Sequence, residues 1–174
     1  MNNTTTTNNI VSNTTTISNT LMDKWSIYHH LPTSSNWTLS GYEKVASNIN
    51  SVEQVIMIMN LLTEHMVTHS MWFVMKNNIT PIWEDPQNIV GGSISYKVVN
   101  KYVHNVWKQL VYMLCGGTLC INKNNNAFIN GITISPKKNF CIIKIWLNKI
   151  IHDVTIISNI DNLMNHGSAF TPFK

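Results

Sequence analysis

Thr80-Pro81-Ile82-Trp83-Glu84-Asp85, with Gly91-Gly92 just beyond, sets an indole beside a carboxylate in a segment bounded by turn residues. Pro81 disfavours helix in the residue before it, so the approach to Trp83 is extended, and Pro86 with the two glycines marks a loop. Upstream, Pro32-Thr33-Ser34-Ser35-Asn36 reads as a second loop that delivers Trp37 to a rim. Two indoles and one carboxylate suit a methylated guanine. An N7-methylated purine is a delocalised cation, and electron-rich indole faces on either side attract it through cation–π forces and dispersion. Glu84 can accept hydrogen bonds from the N1–H and exocyclic amino group of guanine, a pairing adenine cannot offer. Taken one at a time, tryptophans more often belong to cores; it is the placement of Trp37 and Trp83 in loops that favours a site.

The chain has 174 residues, and its first twenty are almost wholly Asn, Thr and Ser. Residues 1–20 are expected to form a disordered tail, because they offer too little apolar surface to offset ordering entropy. Residues 21–174 are expected to form a single domain, large enough to need neither disulfides nor a structural metal. Cys115, Cys120 and Cys141 are odd in number and lack paired ligand spacing, which implies reduced thiols, no metal and a cytoplasmic setting. No apolar run reaches membrane-span length and the start lacks a signal-peptide pattern, so neither membrane nor export is expected. The net charge of +4 and the 11% of charged residues suit a local anionic ligand better than extensive wrapping of nucleic acid. All twelve basic residues are lysines, so any phosphate contact rests on point charges, backbone N–H groups or water, without guanidinium forks.

Residues 24–31 alternate as a strand carrying Trp25, Ile27 and Tyr28. Ser51 and Gln54 form a capping box for a helix whose apolar stripe runs Val52, Val55, Ile56, Met59, Leu62 and Met66. Residues 71–76 and 93–99 read as strands. Residues 100–115 read as a second helix with Val103, Val106, Trp107, Leu110, Val111 and Leu114 on one broad face, ended by Gly116-Gly117. Residues 127–135 and 139–148 read as a hairpin with the basic tip Pro136-Lys137-Lys138, and Ile150, Ile151, Val154 and Ile157 suggest a third helical stripe. Interspersed strands and helices predict an α+β fold, an antiparallel-rich sheet with the helices on one face.

From about residue 23 to 149 the chain resembles the eukaryotic translation initiation factor 4E family, which binds the 7-methylguanosine cap of mRNA. The carriers are Lys24-Trp25-Ser26-Ile27-Tyr28, Asn36-Trp37, Ser51-Val52-Glu53, Pro81-Ile82-Trp83-Glu84-Asp85 with Gly91-Gly92, Val106-Trp107 and Lys144-Ile145-Trp146. The resemblance implies a strongly curved antiparallel sheet with the ligand slot on its concave face and three helices on its convex face. It implies that Trp37 and Trp83 sandwich the methylguanine, that Glu84 reads its Watson–Crick edge, that the Trp83 backbone N–H meets O6, and that Trp146 sits against the N7-methyl group. It also implies a monomer without cofactor that breaks no bond, and the residues show no nucleophile with its base.

On the phosphate side the family's basic residue after Gly-Gly is Ser93 here, its hairpin arginine is Lys137, and its lysine before the last pocket tryptophan is Ile142. Ile142, Lys144 and Trp146 project to one face of a strand, so Lys144, with Lys137 and Lys138 at the tip, is the substitute for the missing cations. On the partner side, where the family docks a helix of a scaffold or repressor protein, Val52 matches, Ile56 stands for a tryptophan, and Lys108 and Tyr112 stand for leucines. Together with the arginine-free, Asn-rich composition this suggests a diverged factor, viral or parasitic, acting in the host cytoplasm if viral. Three functions follow: recruitment of capped mRNA for initiation, a non-initiating cap binder that represses translation, or a general single-stranded RNA module that stacks bases on tryptophan. His65 and His69 lie one helical turn apart, and His166 falls near the family's mobile C-terminal loop.

Overall fold

The computed structural model describes residues 19–165 and 167–173; of the tail expected over residues 1–20, residues 1–18 lie outside the described residues, as does His166, while Thr20 already begins a strand. Seven strands, β1 (Thr20–His30), β2 (Glu43–Ser51), β3 (Met71–Lys76), β4 (Gly92–Val99), β5 (Ile129–Pro136), β6 (Phe140–Leu147) and β7 (Phe170–Pro172), form one sheet in the order β2-β1-β3-β5-β6-β4-β7. Every neighbouring pair is antiparallel. The fold is therefore α+β, as expected.

Period-2 alternation sorts the side chains onto two faces. On one face Trp25 and Ile27 of β1, Trp72 and Val74 of β3, Ile132 and Ile134 of β5, Ile143 and Ile145 of β6, and Ile94, Tyr96 and Val98 of β4 join the helices in one apolar core. On the other, Tyr28, Phe73, Met75 and Trp146 form a smaller aromatic cluster with Tyr42, Met71 and Phe173 beside it. The larger core is closed by α3 (Asn100–Cys115), whose Val103, Val106, Trp107, Leu110, Val111 and Leu114 are buried as its stripe requires. Removing the fully buried Trp107 side chain alone would cost about 3–5 kcal/mol.

The first helical stripe divides in two. Ser51 caps α1 (Val52–Leu61) through the capping box, its hydroxyl accepting from the Gln54 N–H while the Gln54 side chain accepts from the Ser51 N–H. Leu62 then turns extended, and Thr63 caps a separate short α2 (Glu64–His69) by accepting from the Met66 N–H. Thr63 competes for the backbone with its own side chain and breaks the run. The third stripe is not a helix. Residues 150–160 run irregularly, with Asp153 taking the Thr155 N–H and hydroxyl at 2.9 and 2.6 Å, while Ile156, Ile157 and Ile160 still bury their side chains in the core. Burial there is supplied by an irregular strap, and among the described residues the α-helices are α1, α2 and α3.

A buried polar network fixes the loop between β3 and β4. The Asp85 carboxylate accepts from the Thr80 N–H and hydroxyl at 2.8 and 2.7 Å with one oxygen, and from the Gln87 N–H at 2.9 Å with the other. The Asn88 amide donates to the Thr80 and Ile82 carbonyls at 2.9 and 2.7 Å, and Asn130 of β5 donates to the Gln87 carbonyl and the Asn88 side chain, both at 2.8 Å. Asp85, Asn88 and Asn130 are all buried. The loop reaches β4 through Gly91, where a Cβ would lie 1.9 Å from the Leu147 carbonyl oxygen, so no larger residue fits.

Burial pushes the Asp85 pKa up, but the three hydrogen bonds outweigh it and hold the carboxyl below its ordinary value. Its stabilisation is therefore present above the unfolded carboxylate range and lost as pH falls through the lowered folded value. In Asp85→Asn one acceptor oxygen becomes an NH2 donor facing at least the Gln87 N–H, and we expect a loss of about 1–3 kcal/mol at pH 7, shrinking toward acid pH, in urea denaturation at a series of pH values. Equal stability of variant and wild type at pH 7 would show that the network does not hold the loop.

Candidate functional site

A cavity of about 920 Å³ opens on the aromatic face of the sheet. Its floor comes from inward positions of the strands: Phe73 of β3, Thr133 and Ser135 of β5, Ile142, Lys144 and Trp146 of β6, and Ser93 of β4. Trp146 is buried and fixed, since its Nε1–H donates to the Thr133 hydroxyl at 2.7 Å and its ring meets Phe73 edge-on at 6.3 Å. Phe173, just past β7, lies 4.8 Å from the same indole.

Trp37 and Trp83 both line this cavity, from two different loops, and are 50% and 46% exposed. Half-exposed indoles of this kind keep one large face available. Trp83 stands on the loop held by Asp85, Asn88 and Asn130. Trp37 stands on a loop organised by Asn36, whose side-chain oxygen accepts from the Thr38 N–H and hydroxyl at 3.1 and 2.7 Å and whose amide donates to Ser40 at 3.2 Å. A Cβ at Gly41 would lie 2.0 Å from the Asn36 carbonyl oxygen, so the turn after Trp37 (Leu39–Gly41) needs glycine for close approach.

Glu84 is exposed beside Trp83 and is not among the cavity's lining residues. Its charge is nevertheless felt at Tyr42, whose phenol is pushed up to about 12, first by burial and then by the Glu84 carboxylate. Tyr42 itself lines the cavity. Lys137 and Lys144 line the other end, whereas Lys138 is exposed at the hairpin tip and outside the lining. Burial lowers the Lys144 pKa and the Lys137 ammonium lowers it further. Among the described residues the ion pairs are His29–Glu43 and Lys76–Asp23, so neither cavity lysine has a carboxylate partner. Two mutually repelling cations on the wall of an aromatic-lined cavity make a place for an anion.

Five of the expected site residues, Trp37, Trp83, Trp146, Lys137 and Lys144, thus share one cavity, whereas Glu84 and Lys138 lie outside its lining. The sequence reading missed Tyr42, Met71, Phe73 and Phe173 on the lining and the polar residues Asn36, Asn88 and Asn130 that set the loops. An Asn before an exposed Trp and two residues before a Thr was an available signal for Asn36; Asn88 and Asn130 meet only in three dimensions.

On the helical side Val52, Ile56 and Tyr112 are each about two-fifths exposed and line a groove of about 300 Å³ with Leu21, Val55, Cys115 and Gly116. Lys108 lies outside that lining, its ammonium donating to the Asn60 side chain at 3.3 Å. No helix among the described residues is long and apolar enough to cross a membrane.

Known proteins resemble this chain in sequence and in fold. A translation initiation factor 4E homolog of Acanthamoeba polyphaga mimivirus is 38% identical over 64 residues, 37% of this chain and 24% of the viral protein. The initiation factor 4E of Eremothecium gossypii is 24% identical over 135 residues, 75% of this chain and 63% of the fungal one. The chain thus spans less than two thirds of the length of the curated relatives it matches. Among solved structures, a schistosome initiation factor 4E complexed with m7GpppG and a 4E-BP superposes with a TM-score of 0.69 at 24% identity, over 80% of this chain and 78% of the other. An Ascaris suum relative solved with the m7G cap gives 0.63 at 18% identity, over 76% and 74%. These structural likenesses establish the fold. The family described as Eukaryotic initiation factor 4E matches residues 20–168, most of the chain, and on that match the protein belongs to the eukaryotic initiation factor 4E family.

Proposed function

We propose that the chain binds the 7-methylguanosine 5′ cap of mRNA in the 920 Å³ cavity, on what would be the concave side of a curved sheet, and brings capped mRNA to translation initiation. The observation that carries the reading is that Trp37 and Trp83, from separate loops, present half-exposed indoles to the same cavity as the buried Trp146. The methylated base lies between the two exposed indoles, with Trp146 toward the N7-methyl group and Glu84 accepting from the Watson–Crick edge. Lys144 and Lys137 take the phosphates, with Lys138 at the tip adding long-range charge. The family is one of non-enzymatic translation factors, and binding here makes or breaks no bond.

With Ser93 and Ile142 in the cavity where family members carry cations, selectivity leans on the stacked base more than on the phosphate chain. The groove at Val52, Ile56 and Tyr112 is the proposed seat of a partner's helix, and the solved complex of the schistosome relative with a 4E-BP supports that use. The altered anchors at Ile56 and Tyr112 favour a dedicated partner over a standard scaffold. Without such a partner the same cap binding would sequester mRNA and repress translation. A general single-stranded RNA stacker is disfavoured by the low charge, and competition with unmethylated guanosine triphosphate separates it from a cap binder.

Titration with 7-methylguanosine triphosphate is expected to quench tryptophan fluorescence, unmethylated nucleotide to do so far less, and Trp37→Ala or Trp83→Ala to abolish the response. Glu84→Gln should weaken binding by about 1.5–3 kcal/mol, as expected when a charged acceptor is lost. Equal quenching by both nucleotides, or full quenching in both Ala variants, would refute the reading. Affinities for the mono-, di- and triphosphate should rise only modestly, and that rise should fade as pH climbs through the lowered Lys144 range, because the ammonium is lost there. A rise of more than about tenfold per phosphate, roughly 1.4 kcal/mol each, would contradict a base-dominated site. A helical peptide from a standard 4E-binding scaffold should bind the purified protein weakly, each lost anchor costing about 1–3 kcal/mol; tight binding would show that the remaining contacts suffice.

A further inference from the structure

We propose that His30 is the positioning residue of the Trp37 wall, holding both the indole ring and the loop backbone from behind so that the opposite face is preset toward the cavity. The proposal rests on the cap-slot reading for its consequence, while its geometry stands by itself.

His30 ends β1 and is 1% exposed, although it is a polar residue at the edge of a loop. Its imidazole lies parallel to the Trp37 indole, with centroids 4.3 Å apart and planes 11° apart. The same ring reaches the chain that carries Trp37, because Nε2 lies 2.9 Å from the Asn36 carbonyl oxygen and can only donate to it. Tyr42 leans on the imidazole at 4.8 Å and meets the indole edge-on at 6.5 Å, so three rings brace one another. Nδ1 is buried and has no hydrogen-bond partner.

These contacts explain how Trp37 can be half exposed and still ordered. One indole face is taken by His30, and the other is the exposed half that lines the cavity. A free indole on a surface loop would lose rotamer freedom when a base stacked on it, and that loss would weaken binding; here the ordering is already made in folding. An imidazole offers a flat face for the indole and an N–H for the carbonyl in one side chain, which phenylalanine, asparagine and leucine each supply only in part or not at all.

The test uses full-length protein labelled with 5-fluorotryptophan, with the Trp37 resonance assigned from Trp37→Phe. In ligand-free protein, fluorine NMR should find this resonance equally narrow and ring-current shifted in wild type and His30→Phe. It should lose that shift in His30→Leu and in His30→Asn, the latter keeping a donor but no plane. Affinity for 7-methylguanosine triphosphate should fall about three- to tenfold in His30→Phe, which keeps the plane but loses the N–H to the Asn36 carbonyl, and by more than about tenfold in the other two. Unchanged resonance and affinity in both His30→Leu and His30→Asn would overturn the proposal, as would a His30→Phe variant as impaired as they are. If wild type fails to bind the methylated nucleotide, the cap reading falls, and the fluorine spectra alone still decide whether His30 sets the indole.

Discussion

The Asp85 carboxylate is the constraint on which the site depends. Two donors from Thr80 and one from Gln87 converge on it, closing the segment that contains Trp83 into a compact loop. Asn88 ties the same loop to the carbonyls of Thr80 and Ile82, and Asn130 ties it to the sheet. Loop backbone buried without such partners would leave polar groups unsatisfied, at about 1–3 kcal/mol each. With them, an exposed indole acquires the rigidity of the sheet beneath it. Trp37 reaches the same condition by other means, through the side-chain turn of Asn36 and the stack on His30. Two loops of unrelated sequence are thereby made to hold aromatic planes over one floor.

That floor follows from the alternation of strand residues. In β6, Ile143 and Ile145 face the core under α3 while Ile142, Lys144 and Trp146 face the cavity, so a single strand both anchors the fold and supplies ligand-facing groups. A slip of one residue would exchange the two sets. The pairing of β6 with β4 over eight consecutive residues and the glycines that admit close backbone approach guard against it. The helical face carries the bulk of the apolar burial, which leaves the cavity face free to contain polar and mutually repelling groups such as Lys137 and Lys144 without threatening the core.

Much of this was legible in the residues. The extended run of β1, the capping box at Ser51, the broad stripe of α3 and the β5–β6 hairpin all declare themselves through local periodicity and turn chemistry, and the loop placement of Trp37 and Trp83 follows from their proline and asparagine neighbours. What escaped was non-local. β2 reads Glu43-Lys44-Val45-Ala46-Ser47-Asn48-Ile49-Asn50-Ser51, too polar to announce a strand, and forms because β1 offers it an edge. The isoleucines near residue 157 carry a helical spacing, yet Asp153, Ser158 and Asn159 among them favour turns, and Asn162 adopts positive φ. Apolar spacing there records burial rather than a helix. Phe173 and His30 enter the site only through strand pairing and stacking, which spacing along the chain does not encode.

Whether the two exposed indoles enclose one cationic base can be read from a crystal structure of the protein with 7-methylguanosine diphosphate. The purine is expected stacked between Trp37 and Trp83, its N1 and exocyclic amino group within hydrogen-bond distance of the Glu84 carboxylate and its phosphates beside Lys144. A nucleotide seated elsewhere, or one touching neither indole, would contradict it.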